Sequence, residues 1–278
     1  MTAVDPAVRT AVPHTRRAAR TESLAAQPIR PIPLSRTVAV ELRKTFDTRA
    51  GFWLLASIVI FSVLATGAVI IWAPDKNLTY ETFASAFGFP MSVILPMIAI
   101  LAVTSEWSQR SGLTTFTLVP HRGRVIGAKA IATLIIAVGS MLVAMAIGVV
   151  ANVAGSAIAG VDLTWDSSVE DLALIVLGNI VGMALGFMLG VVVRHSAGAI
   201  VGYFVLSLVL PTLASLLAEV ASWFQDVQPW VDLNYAQSQL FEGSMSAAQW
   251  AHLGATSAVW ILLPLAVGLR LLLRSEIK

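Results

Sequence analysis

The chain has 278 residues, of which 57% are hydrophobic and only 12% charged, with a formal charge of +2; soluble globular domains carry about 25% charged residues. The deficit is concentrated in long uncharged blocks, so the class is a polytopic α-helical membrane protein. The absence of cysteine excludes disulfides, thiol nucleophiles, thiolate metal sites and iron–sulfur clusters.

Residues 1–34 are rich in Ala, Arg and Pro and contain no apolar block, so they are neither a secretory signal nor a span. They read as a disordered cytoplasmic tail; an Arg-rich start also suits a transit peptide, against which stand Asp5, Glu22 and the prolines. Residues 35–50, SRTVAVELRKTFDTRA, change character. Ser35 is a candidate N-cap, and Val38, Leu42 and Phe46 fall on one helical face. With Arg36, Arg43, Lys44 and Arg49 they predict an amphipathic helix along the inner membrane surface, or else a solvated helix that only sets orientation.

Six spans follow, at about 51–72, 84–104, 130–150, 172–193, 197–217 and 251–273. Phe52, Trp53 and Trp72 flank the first as interfacial aromatics do. Pro90 and Pro96 predict a kink in the second, and Pro211 and Pro264 interrupt the fifth and sixth. The residues between the second and third spans, 105–129, are polar and basic (SEWSQRSGLTTFTLVPHRGRVIGAK) and read as a loop at the membrane surface. Residues 219–250 carry acids and three tryptophans, and predict short helices lying partly at the opposite interface. Of the 18 Lys and Arg, 17 fall on the side of the termini and of the 105–129 loop, the exception being Lys76; 10 of the 16 acids fall on the other side. This distribution places both termini in the cytoplasm. The fold class is therefore all-α, with six transmembrane helices forming one permease-like domain over 35–278, preceded by the interfacial helix.

The spans contain almost no ionisable groups; Asn152 and Asn179 are their main polar side chains. That argues against proton- or sodium-coupled transport, which relays charge through buried carboxylates or histidines. The histidines are scattered, and no metal-ligand spacing, nucleophile elbow or phosphate-binding loop is present. Catalytic, cofactor-binding and metal residues are therefore expected to be none. Gly178, Gly182, Gly186 and Gly190, four apart, form a smooth stripe on the fourth span. Gly198 and Gly202 give a shorter one on the fifth. The stripe serves either tight packing within one bundle or a dimer or sliding interface.

The order of parts resembles the ABC-2 type permease family, the membrane subunits of ATP-driven exporters, over residues 36–278. A basic lead-in (VELRKTFDTRAGFW) precedes two spans, a loop with an acid at its start, and four more spans. Within the loop, Glu106, Gly112, Leu113, Thr114, Thr115, Leu118, Pro120, Arg122 and Lys129 match the pattern of bacterial members. The resemblance implies a bacterial plasma-membrane protein with no cofactor of its own. ATP and Mg would be bound by a separate cytoplasmic ATP-binding subunit, and two permease subunits, identical or not, would pair. It also implies that a short helix in this loop docks into the ATPase. Residues 107–118 would then present Trp107, Leu113, Phe116 and Leu118 to a groove, with Glu106 and Arg110 as polar guides; alternatively the arginines only contact lipid head groups. Glu106, Arg110 and Arg122 are expected to serve coupling, so that charge reversal at Glu106 lowers transport-linked ATP hydrolysis without blocking insertion.

The function expected is export of a hydrophobic or amphipathic substrate, with membrane lipid and no nucleic acid as partner. The alternatives are an immunity-type permease acting against a peptide antibiotic and a non-transport scaffold or assembly protein. A membrane-embedded enzyme is disfavoured by the lack of a buried catalytic pair.

Overall fold

The computed structural model describes residues 32–108 and 122–274, and these are largely helical and contain no strand. Helix α1 (Leu34–Asp47) is followed by α2 (Arg49–Trp72), α3 (Tyr80–Ser108), α4 (Arg122–Ala159) and α5 (Val169–Val193). Then come α6 (Ser196–Val220), the short α7 (Ser222–Val231) and α8 (Leu233–Ser238), and α9 (Ala247–Arg274). Six of these, α2 to α6 and α9, are long and apolar enough to cross a membrane.

The observed boundaries differ from the expected ones in instructive places. Helix α1 begins at Leu34, so Ser35 lies inside it rather than capping it, and it ends at Asp47 rather than at residue 50. Thr48 caps α2 instead, accepting from the Gly51 N–H at 3.2 Å. The elbow needs glycine at 51, because a Cβ there would run into the Thr45 carbonyl. The largest difference is α4, 38 residues long where about 21 were expected. It takes in Lys129 at one end, and at the other closes on a Schellman turn. Gly160 there has φ of 68° and the Val161 N–H returns to the Ser156 carbonyl at 3.1 Å.

Helices α3 and α5 form the centre of the bundle. The main core gathers Phe87, Met91, Leu95 and Val103 of α3 with Met141 of α4 and Met183, Phe187 and Val191 of α5. Helix α6 buries least of the six. Pro90 and Pro96 lie within one continuous helix.

Pro211 and Pro264 have a clearer consequence. Each follows a five-residue π-helical stretch, Val205–Val209 and Ala258–Leu262. The Leu210 N–H bonds the Val205 carbonyl, and the Leu263 N–H that of Ala258, five residues back instead of four. Widening the turn relieves the clash of the proline ring with the preceding carbonyl without ending the helix.

Residues 219–250 do not simply lie at an interface. Helices α7 and α8 form a hairpin that turns back into the bundle. Trp260 Nε1 donates to the Val231 carbonyl at 2.7 Å and Asn234 Nδ2 to the Leu206 carbonyl at 2.9 Å. Leu206 and Trp260 are each about 20 Å along α6 and α9 from the ends nearest the hairpin's entry, at 1.5 Å per residue. The tip therefore reaches the middle of the spans. Leu233 is buried there with Leu185, Met188 and Ile261. The Leu206 carbonyl is free to accept because its α-helical partner, the Leu210 N–H, is turned to Val205, and its π-helical partner would be Pro211, which has none.

Candidate functional site

Two lysines and two glutamates meet where α1, α3 and α4 converge, just before residue 109. Lys129 Nζ donates to Glu41 Oε2 at 2.6 Å and to the Ala102 carbonyl at 2.9 Å, and lies 3.2 Å from Glu106 Oε1. Lys44 Nζ bonds Glu41 Oε1 at 2.7 Å and approaches Glu106 Oε1 at 3.7 Å. The Lys129 side chain is 1% exposed, Glu106 4% and Glu41 6%, whereas Lys44 is 44% exposed. Formal charge cancels within the group. The geometry is uneven: Glu41 uses both oxygens well, whereas the Glu106 oxygens make no well-aligned hydrogen bond among the described residues. Glu106 is therefore held mainly by charge, at a buried position where losing the partner is costly.

The local sequence explains the convergence. Val38 and Leu42 of α1 pack on Ala128 and Ala132 of α4. Glu41, three residues after Val38, necessarily shares that face. Phe46, expected on the same stripe, is instead 57% exposed. On α4 the small residues Ala128 and Ala132 flank Lys129 and let α1 come close enough for a carboxylate to reach the ammonium.

The residues expected to form the site fall into three groups. Glu106 is buried beside Lys129, and Trp107 is half-buried against the main core, packed inward. Arg122 opens α4. Arg110, Leu113, Phe116 and Leu118 lie outside the described residues. Sequence reasoning missed Glu41 as a partner and placed Lys129 in a loop. The available signal was Glu41 interrupting the Val38–Leu42 stripe, a charge on a buried face.

The glycine stripe is an intrachain contact surface. A Cβ on Gly186 would stand 2.8 Å from the Pro96 carbonyl oxygen and 2.9 Å from its Cα; one on Gly190 would stand 3.0 Å from Val103 Cβ. Gly178 faces the Phe241 ring and Gly182 faces Gln237 Nε2. The same stripe thus seats α3 at one end and the re-entrant hairpin at the other. Gln237 Nε2 also donates to the Gly178 carbonyl at 2.7 Å, and the Tyr203 hydroxyl to the Ser92 carbonyl at 2.5 Å. Gly198 meets Val193 and Gly202 meets Leu189. Gly268, not singled out from sequence, meets Val192 with a Cβ approach of 2.9 Å.

A family model described as an ABC-2 family transporter protein matches residues 19–277, reaching further toward the N-terminus than the resemblance over 36–278. No curated protein matches the chain.

Proposed function

The chain belongs to the ABC-2 family of transporter proteins and is a multi-pass membrane permease; from that membership we propose that it is the membrane subunit of an ATP-driven exporter. A separate cytoplasmic ATP-binding subunit binds ATP and Mg, and two permease chains pair. The basic end faces the cytoplasm, in keeping with the distribution of Lys and Arg. The cargo is hydrophobic or amphipathic.

The family match over residues 19–277 carries this reading, and the buried Glu41–Lys129–Glu106 group supplies the route by which a partner would act. The group ties the amphipathic α1 to both helices that bracket residues 109–121. A push on that segment by a partner is transmitted to α3 through Glu106 and to α4 through Lys129, and both reach α1 through Glu41. Glu106 and Lys129 thus act as positioning residues. Docking itself would fall to Arg110, Leu113, Phe116 and Leu118, with Arg122 at the start of α4; Trp107, packed inward, would fix the near end of the segment.

The test is a mild-detergent pull-down of the full chain with mass spectrometry. A stoichiometric soluble ATPase, lost when 107–118 is replaced by Gly and Ser, is the expected result. Recovery of the chain alone, or with other membrane proteins only, would overturn the exporter reading in favour of a scaffold. Glu106→Gln is expected to keep the ATPase bound and to lower transport-linked hydrolysis; wild-type coupling in that variant would remove Glu106 from the mechanism.

A further inference from the structure

The re-entrant hairpin, α5, α6 and α9 line a half-open cleft of about 330 Å³. Its lining is apolar, with Leu206, Leu213, Leu217, Phe224 and Trp260 prominent, and its polar side chains are Asp232 and Asn234. Asn234 is committed to the Leu206 carbonyl. Asp232 is the acid at the hairpin tip, about 20 Å below the ends of the spans by the helix rise. Its Oδ1 accepts from the Asn234 and Tyr235 N–H groups at 3.0 and 3.2 Å, and its Oδ2 from Gln228 Nε2 at 3.2 Å. No Lys, Arg or His lies within 4 Å of it among the described residues.

This arrangement contains more charge than the fold uses. Capping α8 requires a side-chain acceptor, and Asn serves there as well as Asp. A carboxylate at mid-span depth is costly, and such residues characteristically pair or mark a ligand path. Here three neutral donors surround it, and it opens onto an apolar cleft at the low end of the size range of small-molecule sites, about 300–1,000 Å³. That volume suits one hydrocarbon chain or a small ring system, and is too small for both chains of a diacyl lipid.

We propose that this cleft binds a single-chain amphipathic cation, with its apolar body between α6 and α9 and its cationic head at Asp232. As a statement about cargo this rests on the permease reading; as a binding site it does not.

The experiment uses the full chain in phosphatidylcholine nanodiscs and radiolabelled dodecyltrimethylammonium as the probe. Wild type is expected to bind saturably, near one per chain. Asp232→Asn retains the cap and removes the charge, and is expected to weaken binding about tenfold or more, equivalent to ~1.4 kcal/mol. Ala214→Trp fills the cleft and is expected to abolish saturable binding, with elution on gel filtration unchanged in both variants. Only non-saturable partition in wild type would overturn the site. Loss in Ala214→Trp with wild-type affinity in Asp232→Asn would overturn the cationic assignment. Competition by phosphatidylethanolamine introduced into the discs would overturn the single-chain assignment. No nucleotide or partner enters the measurement, so its failure leaves the exporter reading standing, and the absence of a copurifying ATPase leaves the site standing.

Discussion

Replacing Lys129 by methionine tests the charged group directly. Methionine has similar length and no charge, so the packing volume at the α1–α3–α4 junction is roughly kept. What is lost is the ammonium 2.6 Å from Glu41 and 3.2 Å from Glu106. Glu41 retains Lys44 at 2.7 Å, but Lys44 is 44% exposed, and it lies 3.7 Å from Glu106. One buried carboxylate is left almost unpaired and a second half-paired. Removing one partner of a buried ion pair costs about 3–5 kcal/mol. The appropriate measurement is the free energy of unfolding in mixed detergent micelles titrated with dodecyl sulfate. The single variant should lose about 3–5 kcal/mol, whereas the triple variant Glu41→Gln, Glu106→Gln, Lys129→Met should return to within ~1 kcal/mol of wild type, because replacing a whole buried ionic group by neutral side chains is often neutral or stabilising. A loss below ~0.5 kcal/mol in Lys129→Met, or a triple variant no better than the single one, would refute the view that this group is a buried, mutually dependent network. Lys44→Met is the internal control, expected to cost clearly less than Lys129→Met because the Lys44 side chain is 44% exposed and Glu41 keeps Lys129 at 2.6 Å.

The same titration serves three further expectations. Gly186→Ala sets a methyl against the Pro96 backbone, which cannot swing aside, and should cost about 1–3 kcal/mol; Gly182→Ala meets side-chain ends alone, Gln237 Nε2 at 3.2 Å and the Tyr203 hydroxyl at 3.8 Å, and should cost clearly less. Equal costs would contradict the packing argument. Asn234→Ala should cost about 1–3 kcal/mol by leaving the Leu206 carbonyl unsatisfied. The cost should shrink in a Pro211→Ala background, where the helix regains a donor; an undiminished cost would show that Asn234 acts otherwise. Gly160→Ala has open space around its Cβ and a φ of 68°, so it should cost only the left-handed backbone penalty of about 1–2 kcal/mol.

What could be read from the amino-acid order was whatever depends on hydrocarbon length and charge. A run of some twenty uncharged residues can cross a membrane wherever its neighbours lie, so α2, α3, α5, α6 and α9 were legible to within a few residues. The basic and acidic ends were legible for the same reason, and so was the α1 stripe at Val38 and Leu42, since helical periodicity is local. The glycines of α5 declared a close approach but not its partner; only the packed bundle assigned Gly186 to Pro96 and Gly178 to the re-entrant hairpin.

The tertiary structure alone decided what the charges near the spans do. Lys129 reads as the end of a loop because a lysine normally stays in water. It lies inside α4 because Glu41, 88 residues earlier, and Glu106 are brought to it from two other helices, and no local pattern encodes that meeting. Asp232 reads as one more acid on the acidic side, since its surroundings in sequence are polar. It reaches mid-span depth because a proline-widened turn in α6 exposes a carbonyl for Asn234 and because Trp260 holds Val231. Both hydrogen bonds join residues 28 or 29 positions apart, and their energy exists only once the helices are side by side.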